Sequence, residues 1–164
     1  MLEVVGKKPF YARGLCFSCA RCSACCRFES GFVFLSGKDV SRLMAALNMG
    51  YREFTEIYCR WIASGSGRFE LSLKEKSNYD CVFWGQGNSA GGCSVYESRP
   101  LQCRAFPFWP SVLSSQKQWE TTAESCPGMG RGTLHSPDSI EKWLVNQQNE
   151  PIISKSVSRS PTGS

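Results

Sequence analysis

The sequence lacks any apolar run approaching the roughly 20 residues that a membrane helix requires. A helical membrane span is therefore not expected. The opening stretch MLEVVGKKPFYARG has no continuous hydrophobic segment, because Lys7, Lys8 and Arg13 interrupt it. It does not read as a cleaved secretory leader. No Asn-x-Ser/Thr glycosylation site occurs, in keeping with an intracellular protein. Together these absences predict a cytoplasmic location. Blocks of Lys and Arg are missing too. Apart from Lys7-Lys8 and a tail carrying Lys155 and Arg159, the net charge of +5 is scattered. A nucleic-acid groove would concentrate it, so neither a nucleic-acid nor a membrane partner is expected. Histidine is scarce. His135 is the only one, and it precedes Ser136-Pro137 far from any nucleophile motif. A surface loop is its expected place, and nothing singles out Cys–His catalysis. No internal repeat is visible.

Cysteine is abundant instead. Ten are present, and five of them (Cys16, Cys19, Cys22, Cys25 and Cys26) fall within the eleven residues CFSCARCSACC. A chain of 164 residues can bury about two-thirds of its unfolded surface, so it needs no covalent staples merely to fold. In a secreted protein the cysteines would form a disulfide framework, and a disulfide-stapled structural protein is the lesser alternative. In a reducing compartment clustered cysteines are more often metal ligands or redox groups. Thiolates would also add negative charge that the formal +5 omits.

Hydrophobic periodicity predicts a small single α+β domain of short helices and a few short strands around a cysteine metal site. The first cluster reads as a loop. Phe32 to Leu35 reads as a strand. Ser36, three residues before Asp39, reads as a helix N-cap. Val40, Leu43, Met44 and Leu47 follow at helical spacing, and the helix ends at Asn48 to Gly50. A second helix begins near Tyr51, with Phe54, Ile57, Tyr58 and Trp61 on one stripe; Cys59 lies off its centre as a lone structural thiol. Ala63 to Gly67 reads as a loop. Phe69, Leu71 and Leu73 alternate as in a half-exposed strand, and CVFW at Cys81 and CSVY at Cys93 form an expected hairpin. Its loop matches Gly-x-Gly-x-x-Ala at Gly85 to Ala90. No helix follows, so a dinucleotide site is not expected. Ser98 and Pro100 precede a single expected helical turn, a strand is expected near Trp119, and a last helix starts at Ser136-Pro137 with Ile140, Trp143 and Leu144 on its apolar face. The expected organisation is an N-terminal segment over 1–15, a cysteine-cluster domain over 16–130, a C-terminal helix over 131–150 and a disordered tail over 151–164.

Cys-x-x-Cys lets two thiolates reach one metal from one turn of chain, and here the step repeats from Cys16 through Cys25, with Cys26 directly after. Tetrahedral zinc wants four such ligands, and Cys81, Cys93, Cys103 and Cys126 are available to complete a site. An iron–sulfur reading uses Cys19, Cys22 and Cys25 with the remote Cys126-Pro127, which loosely reproduces ferredoxin spacing. Adjacent side chains in extended chain point to opposite sides, so Cys25 and Cys26 are expected to serve two metals or to bridge. Gathered thiolates need cationic neighbours. Arg27 and Arg104 follow cysteines, and Arg99 precedes Cys103 by four residues, so these three are candidates for outer-shell compensation.

Cys19-x-x-Cys22-x-x-Cys25-Cys26-Arg27, then CVFW, then CSVYESRPLQCRAFPF, then CPG, closely resembles the CxxCxxCC family of zinc- or iron-chelating proteins, also called YkgJ-like. LSGKDVSRLMAALNM looks like the family's capped helix. The resemblance spans roughly residues 17–130. It implies metal chelation by Cys19, Cys22, Cys25, Cys26, Cys81, Cys93, Cys103 and Cys126, and leaves zinc and iron both open. Cys16 is an extra step upstream. A related cysteine-rich region occurs in a flagellin lysine-methylase family, which implies the alternative of a metal- or iron–sulfur-dependent protein-modifying enzyme. The chain shows no convincing nucleotide or S-adenosylmethionine loop, and no protein partner is indicated.

Overall fold

A computed structural model describes residues 8–85 and 92–157. Its elements in chain order are β1 (Leu15–Phe17), α1 (Gly37–Leu47), α2 (Tyr51–Tyr58), β2 (Cys59–Gly65), β3 (Arg68–Leu73), α3 (Leu101–Ala105), α4 (Gln116–Ala123), β4 (Met129–His135), α5 (Pro137–Asn149) and β5 (Ser154–Ser156). Helices and two small sheets make an α+β fold, as the periodicity predicts. Among the described residues no helix is long and apolar enough to cross a membrane. The chain forms two compact units, one from Met1–Cys22 with Ala105–Gln148, the other from Ser23–Arg104 with Asn149–Ser164. The cut falls between Cys22 and Ser23, inside the cysteine cluster.

In the unit that begins at Ser23, α1 starts where the sequence places it. Ser36 Oγ accepts the Asp39 amide and Asp39 Oδ2 accepts the Ser36 amide, a reciprocal capping box. The helix stops at Asn48, whose left-handed backbone (φ 52) suits asparagine. The Asp39 carboxylate does more than cap. Its Oδ1 also accepts the Leu101 amide at 2.8 Å and faces Arg42 at 3.3 Å. One buried side chain thus joins the start of α1 to the start of α3.

The second helix ends earlier than its stripe suggests. Trp61, the fourth member of that stripe, lies in β2, because the backbone turns extended at Cys59 (φ −115, ψ 156). Cys59 to Ile62 then pair antiparallel with Leu73 to Glu70, and the ladder overrides the helical pattern. The strand runs to Gly65, so only Ser66 and Gly67, both at positive φ, turn the hairpin. The strand expected over Phe32 to Leu35 is a bridged segment: Leu35 donates to the Leu71 carbonyl and Leu73 to the Val33 carbonyl. The remainder of that β3 edge is taken by β5, where Arg68 faces Ser156 and Glu70 faces Ser154. The expectation of a disordered tail therefore fails for its described part. Ile153 exchanges backbone bonds with Leu35 and Leu71 and packs on the core, which satisfies amides that would otherwise be buried unpaired. Residues 158–164 lie outside the described residues. The core here is Leu35, Val40, Leu43, Phe54, Leu71, Leu73, Phe83 and Val95, with Tyr58 stacked on Phe83.

CVFW and CSVY approach each other antiparallel but form turns with isolated bridges, Glu75 to Cys81 and Trp84 to Cys93, in place of the expected strands. Most of the Gly-x-Gly-x-x-Ala loop, from Gln86 onward, lies outside the described residues.

In the other unit, β1 pairs antiparallel with β4, with Cys16 opposite Leu134. Neither strand was expected, and β4 is glycine-rich, with Gly130 and Gly132 at positive φ. Around Trp119 the chain is helical rather than extended. Ser115 Oγ accepts the Gln118 amide and starts α4, and the buried Trp119 lies parallel to the Phe108 ring. The last helix begins at Pro137 as expected, with Ile140 fully buried. His135 closes β4, half-buried, its Nε2 3.0 Å from the Phe17 carbonyl.

Replacing Asp39 by Ala leaves two buried amides without acceptors. We expect Asp39→Ala to lower folding stability by roughly 3 kcal/mol, against about 1 kcal/mol for Ser36→Ala. Urea midpoints of the two variants check this. Equal losses would show that the bond to Leu101 adds nothing.

Candidate metal centre

Ala24–Cys26 is one 3-10 turn, entered from Ser23 in the left-handed region (φ 65) and left in extended chain at Arg27. The Cys26 amide closes it on the Ser23 carbonyl at 2.8 Å. Within such a turn neighbouring side chains do not diverge as they do along a strand. Cys25 Sγ and Cys26 Sγ lie 3.7 Å apart. The expectation that they face opposite sides is corrected by this local geometry.

Three further segments carry thiols of the same unit. The Cys81 amide donates to the Cys26 carbonyl at 2.7 Å, which ties the turn directly to Cys81. Glu75 reinforces the tie just beyond: its carboxylate accepts from the Ser30 hydroxyl and the Gly31 amide and pairs with Arg60. Cys93 stands opposite Trp84, with Gly85 donating to the Gly92 carbonyl and Ser94 to the Phe83 carbonyl. Cys103 rides on α3, whose first amide is the one Asp39 holds.

These five thiols sense one another. The hydrogen bond between the Cys25 and Cys26 sulfurs draws Cys25 down to about 6 and pushes Cys26 up, burial adding to the rise of Cys26. Burial lifts Cys81 to about 11 and also raises Cys93 and Cys103. Behind burial, Cys103 is raised by negative charge on Cys81, Cys25 and Cys93, and Cys81 by Cys93 and Cys25. Cys25 is exposed; Cys26, Cys81, Cys93 and Cys103 are half-buried. Among the described residues no three His, Cys, Asp or Glu side chains converge closely enough to hold a metal ion as they stand. The Cys25–Cys26 pair alone matches a metal–thiolate spacing. Tetrahedral zinc–thiolate bonds of about 2.3 Å give a sulfur–sulfur edge of roughly 3.8 Å, and the Cys25–Cys26 pair spans such an edge.

Of the remaining thiols, Cys16, Cys19, Cys22 and Cys126 belong to the other unit, and Cys59 to this one. Cys19 and Cys22 are exposed, and the Cys19 sulfur accepts the Arg21 amide at 3.4 Å. Cys126 is half-buried against that unit's aromatic core. Ser18 donates to the Gly128 carbonyl, which brings the chain beside Cys19 to the Cys126 turn. A Cβ on Gly128 would strike the Ser18 carbonyl, so this approach requires glycine in CPG. Cys16 sits in β1. Cys59 is buried in the core, lifted to about 12 by burial.

The profile of a family described as CxxCxxCC, "Putative zinc- or iron-chelating domain", matches residues 18–127. The chain belongs to the CxxCxxCC family. It is also similar to the Uncharacterized protein MJ0661 of Methanocaldococcus jannaschii, at 26% identity over 110 residues, 67% of this chain and 54% of that protein. The chain thus spans about half the length of that relative. No solved structure matches it significantly.

The three arginines expected beside the thiols of this CxxCxxCC domain take different places. Arg99 lies over the Tyr96 ring at 3.5 Å, and its positive charge draws down Cys25, Cys93 and Cys103 against the stronger upward pull of burial on the last two. Arg27 bonds Asp80 at 3.0 Å and stacks on Trp84 at 3.7 Å. Arg104 donates to the Arg99 carbonyl, and Arg42 donates to the same oxygen. These two hold the backbone of Arg99 in place. Sequence reasoning missed Asp39 as the holder of α3 and Asp80 as the partner of Arg27. Their partners are 62 and 53 residues away, and no local pattern signals such pairs.

The metal-free protein should lose stability in alkali. Cys81 at about 11 and Cys59 at about 12, against an ordinary value of about 9, keep protons in the folded chain that the unfolded chain has released. Their contribution is full below about pH 9 and is lost as pH rises towards 11 and 12. Urea midpoints should therefore fall between about pH 8 and about pH 10.5; a level or rising midpoint would contradict the burial of these thiols.

Proposed function

We propose that Cys25, Cys26, Cys81, Cys93 and Cys103 form a chelating centre for zinc or iron, and that Cys19, Cys22 and Cys126 supply the chain's other thiol ligands. The observation that supports this reading is the gathering of thiols from four segments: Cys25 Sγ lies 3.7 Å from Cys26 Sγ, the Cys81 amide donates to the Cys26 carbonyl, and charge on Cys81, Cys25 and Cys93 adds to burial in pushing Cys103 up. None of the five is in a disulfide. The family description supports the same chemistry. A bound cation would neutralise the thiolates and, if it were iron or an iron–sulfur cluster, would also store an electron.

The chain's own residues prepare for this. Asp39 fixes the helix that carries Cys103, and the Cys26–Cys81 backbone bond fixes two thiol segments against each other. Arg99 offsets part of the negative charge that four thiolates on a divalent ion would leave. The free thiols suit a reducing compartment such as the cytoplasm.

Elemental analysis with absorption spectroscopy on protein kept from air tests the reading. We expect stoichiometric zinc with no colour, or iron with visible charge-transfer bands. Cys103→Ala should lose metal and melt well below the parent, because metal binding is coupled to folding. Cys59→Ala should keep its metal and lose only packing energy, roughly 1–2 kcal/mol. Native protein empty of transition metal would end the proposal.

A further inference from the structure

All ten cysteines are free thiols, and local geometry brings two of them together. The Cys25 and Cys26 sulfurs lie 3.7 Å apart on the single turn Ala24–Cys26. Backbone bonds hold that turn on both sides: the Cys26 amide donates to the Ser23 carbonyl, and the Cys26 carbonyl accepts the Cys81 amide. The two sulfurs differ in access, Cys25 being exposed and Cys26 half-buried. An accessible thiol beside a more sheltered one is the arrangement in which a sulfenic acid on the first is resolved by the second. Adjacent Cα atoms stand about 3.8 Å apart across a trans peptide, below the roughly 4.4–6.8 Å usual for a disulfide. A bond between these two sulfurs is therefore strained, and strained, exposed disulfides are the readily reduced, regulatory kind.

We infer that Cys25 and Cys26 form a reversible redox pair, a site at which a hydroperoxide closes a vicinal disulfide and a small thiol reopens it. The inference concerns the metal-free chain and does not depend on the chelation reading; closing the bond withdraws two of the thiols proposed there as ligands. The Cys25 sulfur attacks one peroxide oxygen. A sulfur–oxygen bond forms as the oxygen–oxygen bond breaks, and the departing oxygen takes the Cys25 proton. The Cys26 sulfur then attacks the Cys25 sulfur. The sulfur–sulfur bond forms, and the sulfenic hydroxyl leaves with the Cys26 proton as water. The two sulfurs lose two electrons in all, and the peroxide gains them. Two equivalents of a thiol such as glutathione return the electrons and become a disulfide themselves.

The test uses the full chain, reduced and stripped of metal under argon. It is treated with one equivalent of hydrogen peroxide, capped with iodoacetamide and digested with trypsin for mass spectrometry. The tryptic peptide Cys22–Arg27 also carries Cys22, so fragment ions and a Cys22→Ser variant assign the pair. After peroxide we expect the parent peptide to carry an alkyl group at Cys22 alone and to lose two hydrogens across Cys25 and Cys26. Glutathione added before capping should restore alkylation of all three cysteines. Cys22→Ser should close the same bond, and Cys26→Ser should stop at a sulfenic acid on Cys25 that dimedone captures. If Cys25 and Cys26 both remain alkylated after peroxide, or Cys25 pairs with Cys22 or Cys81 instead, the inference falls. A vicinal bond that glutathione leaves intact overturns it equally. Zinc uptake by the untreated chain reports separately on the chelation reading.

Discussion

Thiols gathered away from water oppose one another's ionisation, and much of the Ser23–Arg104 segment is organised around that cost. Of the six sulfurs in this unit, Cys25 is drawn down and the other five are pushed up, Cys59 by its burial in the core. The one drawn down is the exposed Cys25, whose sulfur shares a hydrogen bond with that of Cys26. Keeping four protonated thiols together is tolerable. Ionising them together is not, unless a cation arrives. Arg99 supplies a fraction of that charge, and its stacking on Tyr96 and the two bonds to its carbonyl keep it where the charge is felt.

The scaffold explains how loops can hold such a group. Of these thiols Cys103 rides on a five-residue α-helix, and Cys25 and Cys26 share a single 3-10 turn. Position comes instead from single polar side chains that reach across long separations. Asp39 fastens α3, Glu75 fastens the chain after the cysteine turn, and Asp80 fastens Arg27 under Trp84. Each is a carboxylate accepting from amides or guanidinium, a charge-assisted bond that holds loop backbone more firmly than neutral contacts do. The hydrophobic core of Leu35, Leu43, Phe54, Leu71 and Phe83 lies behind them and fixes the platform.

Legibility in the sequence followed the range of the interactions. The capping box at Ser36 and Asp39 and the proline start of α5 depend on residues within one turn, and both stand where the pattern places them. Trp61 fits a helical stripe and yet lies in β2, because pairing with β3 outweighs a helix of marginal length. Trp119 looks like a strand residue and is helical, because Ser115 caps the turn and Phe108 receives the indole. Ile153 looks like part of a loose tail and is pinned by Leu35 and Leu71. In each case the deciding partner lies elsewhere in the chain.

The candidate site divides in the same way. The repeated Cys-x-x-Cys steps, the scarcity of histidine and the membership of the CxxCxxCC family are carried by residue identity and spacing alone. Composition therefore determined which chemistry the chain is equipped for. Which thiols share an environment, that Cys25 and Cys26 lie side by side, and that Arg99 rather than Arg27 faces them were decided only by the tertiary structure. The reason is physical: desolvation and charge act through space over a few ångströms, and spacing along the chain does not fix those distances once loops close between residues far apart.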